Sequence, residues 1–120
     1  MNETKHSGFT HLIFAIRWSF AGFRRAVQDE LAFRQELFFF IFLAPVALWI
    51  GKTHIEIILL VGSLLMVLIV ELLNTAVETA INRIGGEVHD LSKKAKDVGS
   101  AAVMLSIVSA LFVWGTILLR

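Results

Sequence analysis

The 120-residue chain is 57% hydrophobic, carries a formal net charge of +1 and contains no cysteine. An ordinary soluble domain is about 45–50% apolar even with glycine counted, so one small integral membrane domain, residues 1–120, is expected instead. The near-neutral charge gives no reason for a nucleic-acid partner, and the missing thiols exclude disulfide and thiol chemistry.

The first residues, MNETKHSGFT, lack the basic-then-apolar order of a cleavable leader, so the N-terminus is read as retained. Phe9, Leu12, Ile13, Ile16, Phe20, Phe23 and Val27 then recur on one stripe at about 100° per residue, with His11, Arg17, Arg25 and Asp29 off it. This pattern predicts an amphipathic helix over about residues 5–30, lying in the membrane plane with its basic residues toward headgroups. Leu37–Ile50 is apolar but only 14 residues long. Extension back to residue 31, tilt and local thinning of the bilayer let it span. After the turn Gly51-Lys52-Thr53-His54, a second membrane helix is expected over 55–84. A third is expected over 96–119, where Val98–Leu119 runs 22 residues without a charge. Residues 1–36 carry five Lys or Arg and residues 79–97 carry four, against Lys52 alone in the 51–56 turn and Arg120 at the end. That asymmetry puts the N-terminus in the cytoplasm and the C-terminus outside.

Polar residues interrupt the second span. Glu71, Asn74, Thr75, Glu78 and Asn82 fall on one narrow helical face about 16 Å long at about 1.5 Å per residue. Ionisable groups at membrane depth are costly and commonly functional. Three readings fit the face: a helix–helix seam, a proton or ion path, and an interfacial catalytic site. Asn74, Thr75 and Asn82 suit a seam, but two carboxylates gain little there and cost much to bury. The next segment favours catalysis. Lys93, Lys94 and Lys96 with Gly85, Gly86, Gly99 and Ser100 suit a polyphosphate. Paired carboxylates suit Mg²⁺, which takes one or two of them beside phosphate oxygens and water. Together these point to phosphoryl transfer, although neither a G-x-x-x-x-G-K-[ST] loop nor H-R-D and D-F-G motifs are present.

ELAFRQE (30–36), ELLNTAVE (71–78) and GGEVHDLSKKAKDVGSAA (85–102) resemble the prokaryotic-type diacylglycerol kinase family, from about Phe9 to the C-terminus. The resemblance implies an all-α integral membrane kinase with three membrane helices, a surface helix and a homotrimeric bundle with shared active sites. It implies Mg-ATP as phosphate donor, diacylglycerol as acceptor, phosphatidate as product and the bacterial inner membrane as location. By motif, Glu71 resembles the general base, with Asn74 orienting its neighbours; Glu30 and Glu78 resemble the metal ligands. Lys96 and Asp97 match the nucleotide-binding pair, and Glu87, Val88 and His89 the adjoining nucleotide contacts. Phe33, Arg34, Gln35, Glu36 and Ser100 fall where the lipid's glycerol portion enters, with Glu71 beside it.

The plainer expectations are a helix cap for Asp97, a topology signal for Lys93 and Lys94, and a pairing of Arg34 with Glu30 or Glu36. His11 stands where better-known relatives carry Arg, and Asn82 where some carry Asp. His11 and Trp18, two turns apart on one face, are a candidate adenine contact. Undecaprenol kinase is the alternative within the family, and a non-enzymatic proton or ion pathway the alternative from another class. The trimer also has a physical argument, because three helices have little surface with which to shield so long a polar face.

Overall fold

The computed structural model describes residues 8–85 and 89–120. Among the described residues the chain is all-helical, with α1 (Gly8–Asp29), α2 (Leu31–Ile50), α3 (His54–Ile84) and α4 (Asp90–Leu118). The last three are each long and apolar enough to cross a membrane, so the three expected spans and the N-terminal helix are present.

The break between α1 and α2 is a single residue. Glu30 leaves helical geometry at φ −116° and ψ 112°, with no Gly or Pro to mark the bend. Arg34 holds the elbow. Its Nη1 donates to the carbonyls of Val27 (2.8 Å) and Gln28 (3.0 Å) in the last turn of α1. Carbonyls there have no partner within the helix, and a cation suits that end of the helix dipole. The guanidinium is thus spent on the elbow rather than on Glu30 or Glu36.

Thr53 starts α3. Its Oγ1 accepts from the Glu56 N–H at 3.1 Å, while Glu56 Oε1 reaches back to accept from the Lys52 N–H at 2.7 Å. This is a Thr-x-x-Glu capping arrangement. α3 runs 31 residues, about 46 Å at ~1.5 Å per residue. That exceeds a hydrocarbon core about 30 Å thick, so the helix extends beyond the core at one end or both. It ends at Gly85, whose φ of 76° is the left-handed cap that glycine adopts without steric cost.

α4 begins at Asp90 rather than near residue 96. Its N-cap is His89, whose Nδ1 accepts from the Leu91 N–H at 3.1 Å. Asp97 therefore lies well inside the helix, and the expectation that it caps a membrane helix is corrected.

α3 is the central helix, packed along α4 and α2, while α2 and α4 barely touch. Two apolar clusters hold the chain. Ala26, Phe33 and Leu68 join α1, α2 and α3 at the elbow end. Ala47, Leu60 and Ile117 join α2, α3 and α4 at the other end. There the Trp114 Nε1–H donates to the Leu60 carbonyl at 3.2 Å. Arg120 closes the same end, with Nε 2.7 Å from Glu56 Oε2 and Nη2 donating to the Ile50 carbonyl at 3.1 Å. Trp114→Phe keeps the packing and removes one interhelical hydrogen bond. A loss of about 1 kcal/mol is expected, read as a lower thermal midpoint in detergent.

Elsewhere the helices turn large apolar side chains outward; Phe42 is 66% and Phe112 72% exposed. Contiguous apolar surface of this kind belongs against lipid or other helices.

Candidate active site

The polar face of α3 separates into an inner and an outer part. Glu71 and Asn74 are buried, Thr75 and Glu78 are half-buried, and Asn82 is exposed. Only three polar residues are buried among those described, and two are Glu71 and Asn74, at 6% and 9% exposure. The Asn74 Nδ2–H donates to Glu78 Oε1 at 3.3 Å, one turn on. Glu71 lies within electrostatic reach of Glu78 on its own helix, of Glu30 at the elbow and of Glu36 on α2. Glu71 thus interacts with three other carboxylates, one each from its own helix, the elbow and α2.

That neighbourhood contains unfilled hydrogen-bonding capacity. Asn74 Oδ1 and Glu36 Oε2 are buried and have no protein partner. Buried polar atoms are nearly always paired, so each orphan calls for an explanation such as a catalytic role or an absent ligand.

Two cavities flank the acids. One of about 530 Å³ lies between α1 and α3, and its lining includes Arg25, Asp29, Glu30, Thr75 and Thr79. The other, about 560 Å³, is a predominantly apolar groove between α2, α3 and α4. Gln35 and Glu36 line it beside Phe39 and Phe40, and Trp114 also contributes. Glu30 therefore faces one cavity and Glu36 the other.

The α4 motif reaches the acids through Gly99. A Cβ at that position would collide with Asn74 Oδ1, so α4 passes α3 at very close range here. Lys96 is one turn before Gly99 and shares its side of the helix. Gly99 itself is not a loop residue offering its N–H to a phosphate, as its place in the sequence motif implies. It lies inside α4, where the backbone bonds along the helix.

Other expected site residues fall as follows. Asp97 is exposed and held by Lys93, with Nζ 2.8 Å from Oδ2. Lys93 is therefore more than a topology signal, and its i,i+4 spacing to Asp97 was readable in the sequence. Ser100 is exposed on α4. Phe33 is fully buried in the elbow cluster, edge-on to Phe23 with ring centroids 6.0 Å apart. Any part it has in lipid binding runs through the placement of Arg34, Gln35 and Glu36. His11 and Trp18 do meet, edge-on at 6.4 Å, and Phe14 stacks against the same indole at 5.8 Å. Neither lines the cavity between α1 and α3. Glu87 and Val88 lie outside the described residues.

His89 is present as the α4 cap, which leaves its Nε2 for any ligand. Capping and ligand binding are separable by substitution. Asn is among the preferred N-caps, so His89→Asn is expected to keep the start of α4 while His89→Ala loses about 1 kcal/mol. Amide exchange in the first turn of α4 reads the cap; a raised KM for ATP in both variants reads a nucleotide contact.

The prokaryotic diacylglycerol kinase family model matches residues 17–118. A diacylglycerol kinase of Haemophilus influenzae is 47% identical over 114 residues, covering 95% of this chain and 97% of the relative. One from Escherichia coli K12 is 44% identical over 108 residues, 90% and 88% of the two chains. One from Pseudomonas aeruginosa is 41% identical over 113 residues, 94% and 92%. A match over nearly the whole length, with the three spans and the motif-bearing α3 and α4 all included, places this chain in the prokaryotic diacylglycerol kinase family.

Proposed function

We propose that this protein transfers the γ-phosphoryl group of ATP to the free hydroxyl of 1,2-diacylglycerol, giving phosphatidate and ADP. The observation that carries the reading is the buried Glu71–Asn74 pair with half-buried Glu78 one turn on, set directly against the α4 segment that bears Lys96 and Asp97. A carboxylate held on the central helix, away from bulk water and within reach of the nucleotide motif, is placed to act as a general base.

In this reading Glu71 takes the hydroxyl proton as the lipid oxygen bonds to the γ-phosphorus and the bond to the bridging β–γ oxygen breaks. That bridging oxygen leaves with ADP. Asn74 fixes Glu78 through its amide. Lys96 neutralises phosphate charge, with Asp97, held by Lys93, beside it, and Glu87, Val88 and His89 complete the nucleotide contacts. The apolar groove from Glu36 to Trp114 takes an acyl chain, with Gln35, Glu36 and Ser100 near the glycerol. Phosphoryl transfer leaves the protein mainly the tasks of positioning and charge stabilisation.

Glu30 and Glu78 fit Mg²⁺ in kind, being hard oxygen donors whose charges both act on Glu71. No group of three or more acidic or histidine side chains is gathered for a metal among the described residues. That agrees with an ion held by one or two carboxylates and completed by phosphate oxygens and water. Bound Mg²⁺ would supply charge neutralisation on the phosphates.

The outward apolar faces and the long polar stripe support a homotrimer with active sites shared between chains. The Lys and Arg distribution supports a cytoplasmic N-terminus in the bacterial inner membrane, with the C-terminus outside. His11 and Trp18 remain an adenine contact in this reading, tested by the ATP KM of Trp18→Ala.

The acceptor is tested by offering dioleoylglycerol and undecaprenol in parallel mixed micelles with Mg-ATP. Preferential labelling of dioleoylglycerol is expected. Preference for undecaprenol would keep the mechanism and change the substrate. Proton or ion flux across liposomes without ATP, and no transfer to either lipid, would overturn the kinase reading.

A further inference from the structure

Asn74 makes an unequal use of its amide. The Nδ2–H serves Glu78, whereas Oδ1 is buried with no partner. The reason lies across the helix interface. Oδ1 points into the space where any residue but glycine at position 99 would place its Cβ; that Cβ would also lie 3.3 Å from Asn74 Cγ. Gly62 and Gly115 contrast with it, because a Cβ at either meets nothing within 4 Å. The need for glycine at 99 thus comes from one side chain, Asn74, and not from general crowding of the helices. The Asn74 oxygen faces the Gly99 Cα–H, a weak donor of the kind seen where helices approach closely.

We propose that Gly99 is a positioning residue: by lacking a side chain it holds the Asn74 carboxamide flat against α4 and turned so that its amide faces Glu78. A methyl at 99 would push the carboxamide away from α4. The Asn74–Glu78 hydrogen bond, already 3.3 Å long, would open, and Glu78 would lose the partner that fixes it. The same contact sets the distance between α3 and the α4 face that carries Lys96, so one glycine relates the acids to the nucleotide motif. This rests on the reading of Asn74 and Glu78 as parts of the kinase site.

The test is a double-mutant cycle with purified protein in mixed micelles, using Mg-ATP and dioleoylglycerol. Gly99→Ala, Asn74→Ala, the double variant and Gly115→Ala are compared for kcat, KM and thermal midpoint. A displacement of about 1 Å at a positioned group costs about a hundredfold in rate, so Gly99→Ala is expected to lose about that much in kcat. Gly115→Ala is expected to match wild type.

The decisive variant is the double. With the carboxamide gone there is nothing for the new methyl to strike. Adding Gly99→Ala to Asn74→Ala is therefore expected to cause no further loss of kcat and no further fall in thermal midpoint. Losses that multiply in the double would mean that Gly99 acts on helix packing independently of Asn74, and would overturn the proposal while leaving the active-site reading intact. Wild-type kcat in Gly99→Ala would overturn it too. A fully active Asn74→Ala protein would instead remove Asn74 from the site, overturning that part of the functional reading and the proposal with it.

Discussion

Glu71→Gln is expected to fold as wild type and to lose turnover by about 10²–10⁴-fold, the usual contribution of a positioned general base. The substitution keeps the size and shape of the side chain and removes only its capacity to take a proton. Glu71 is buried on the central helix among the charges of Glu78 and Glu30. Neutralising it also removes like-charge repulsion, so the thermal midpoint is expected to hold or rise. A fall in kcat with an unchanged or higher midpoint separates a catalytic from a structural role. The reverse pattern, retained kcat with a lower midpoint, would make Glu71 a packing residue and place the base elsewhere.

Phe33→Ala is the second large effect, and it acts on the fold. The ring is 0% exposed and packs with Ala26 and Leu68, with Val27, Leu37, Phe40 and Leu72 around them. Removing a buried Phe side chain costs about 3–5 kcal/mol, through lost apolar burial together with the cavity left behind. This cluster is where α1 meets α2 and α3, so the loss falls on the elbow that carries Glu30 and Arg34. Phe33→Leu, which refills most of the volume, is expected to recover the greater part of the stability. Thermal unfolding reads the cost, and kinetics read its consequence. If Phe33 acts only through the elbow, activity should follow stability across Ala, Leu and wild type. A raised KM for lipid in Phe33→Leu at near-normal stability would instead indicate direct lipid contact.

The two residues show what a sequence of this kind discloses. The three spans were legible because lipid imposes uninterrupted apolar runs of a given length. The polar face of α3 was legible because two carboxylates in such a run have few structural uses. Phe33 was not legible as a core residue. In a chain with ten Phe, those facing lipid and those facing protein have the same chemistry, and only packing sorts them. The Arg34 elbow clamp is hidden from the sequence for a related reason. Its partners are backbone carbonyls, and these leave no trace in the residue pattern.

The first turns of α4 precede the apolar run that marks the span, because residues 90–97 have no apolar periodicity and the helix there starts at the His89 cap. Two local signals do stand in the sequence: Thr53-x-x-Glu56 is a capping pattern, and Lys93 and Asp97 stand at i,i+4. The motif around Gly99 suggests a phosphate-binding glycine. Its close approach to Asn74 is a relation between helices, visible only once α3 and α4 are packed.

The lipid kinase activity is tested by transfer of labelled γ-phosphate from Mg-ATP by the purified protein, with dioleoylglycerol as sole acceptor in mixed micelles. Label is expected in phosphatidate, dependent on both the lipid and Mg²⁺. Well-folded protein that leaves the lipid unlabelled, or releases only inorganic phosphate at a rate indifferent to the lipid, would contradict it.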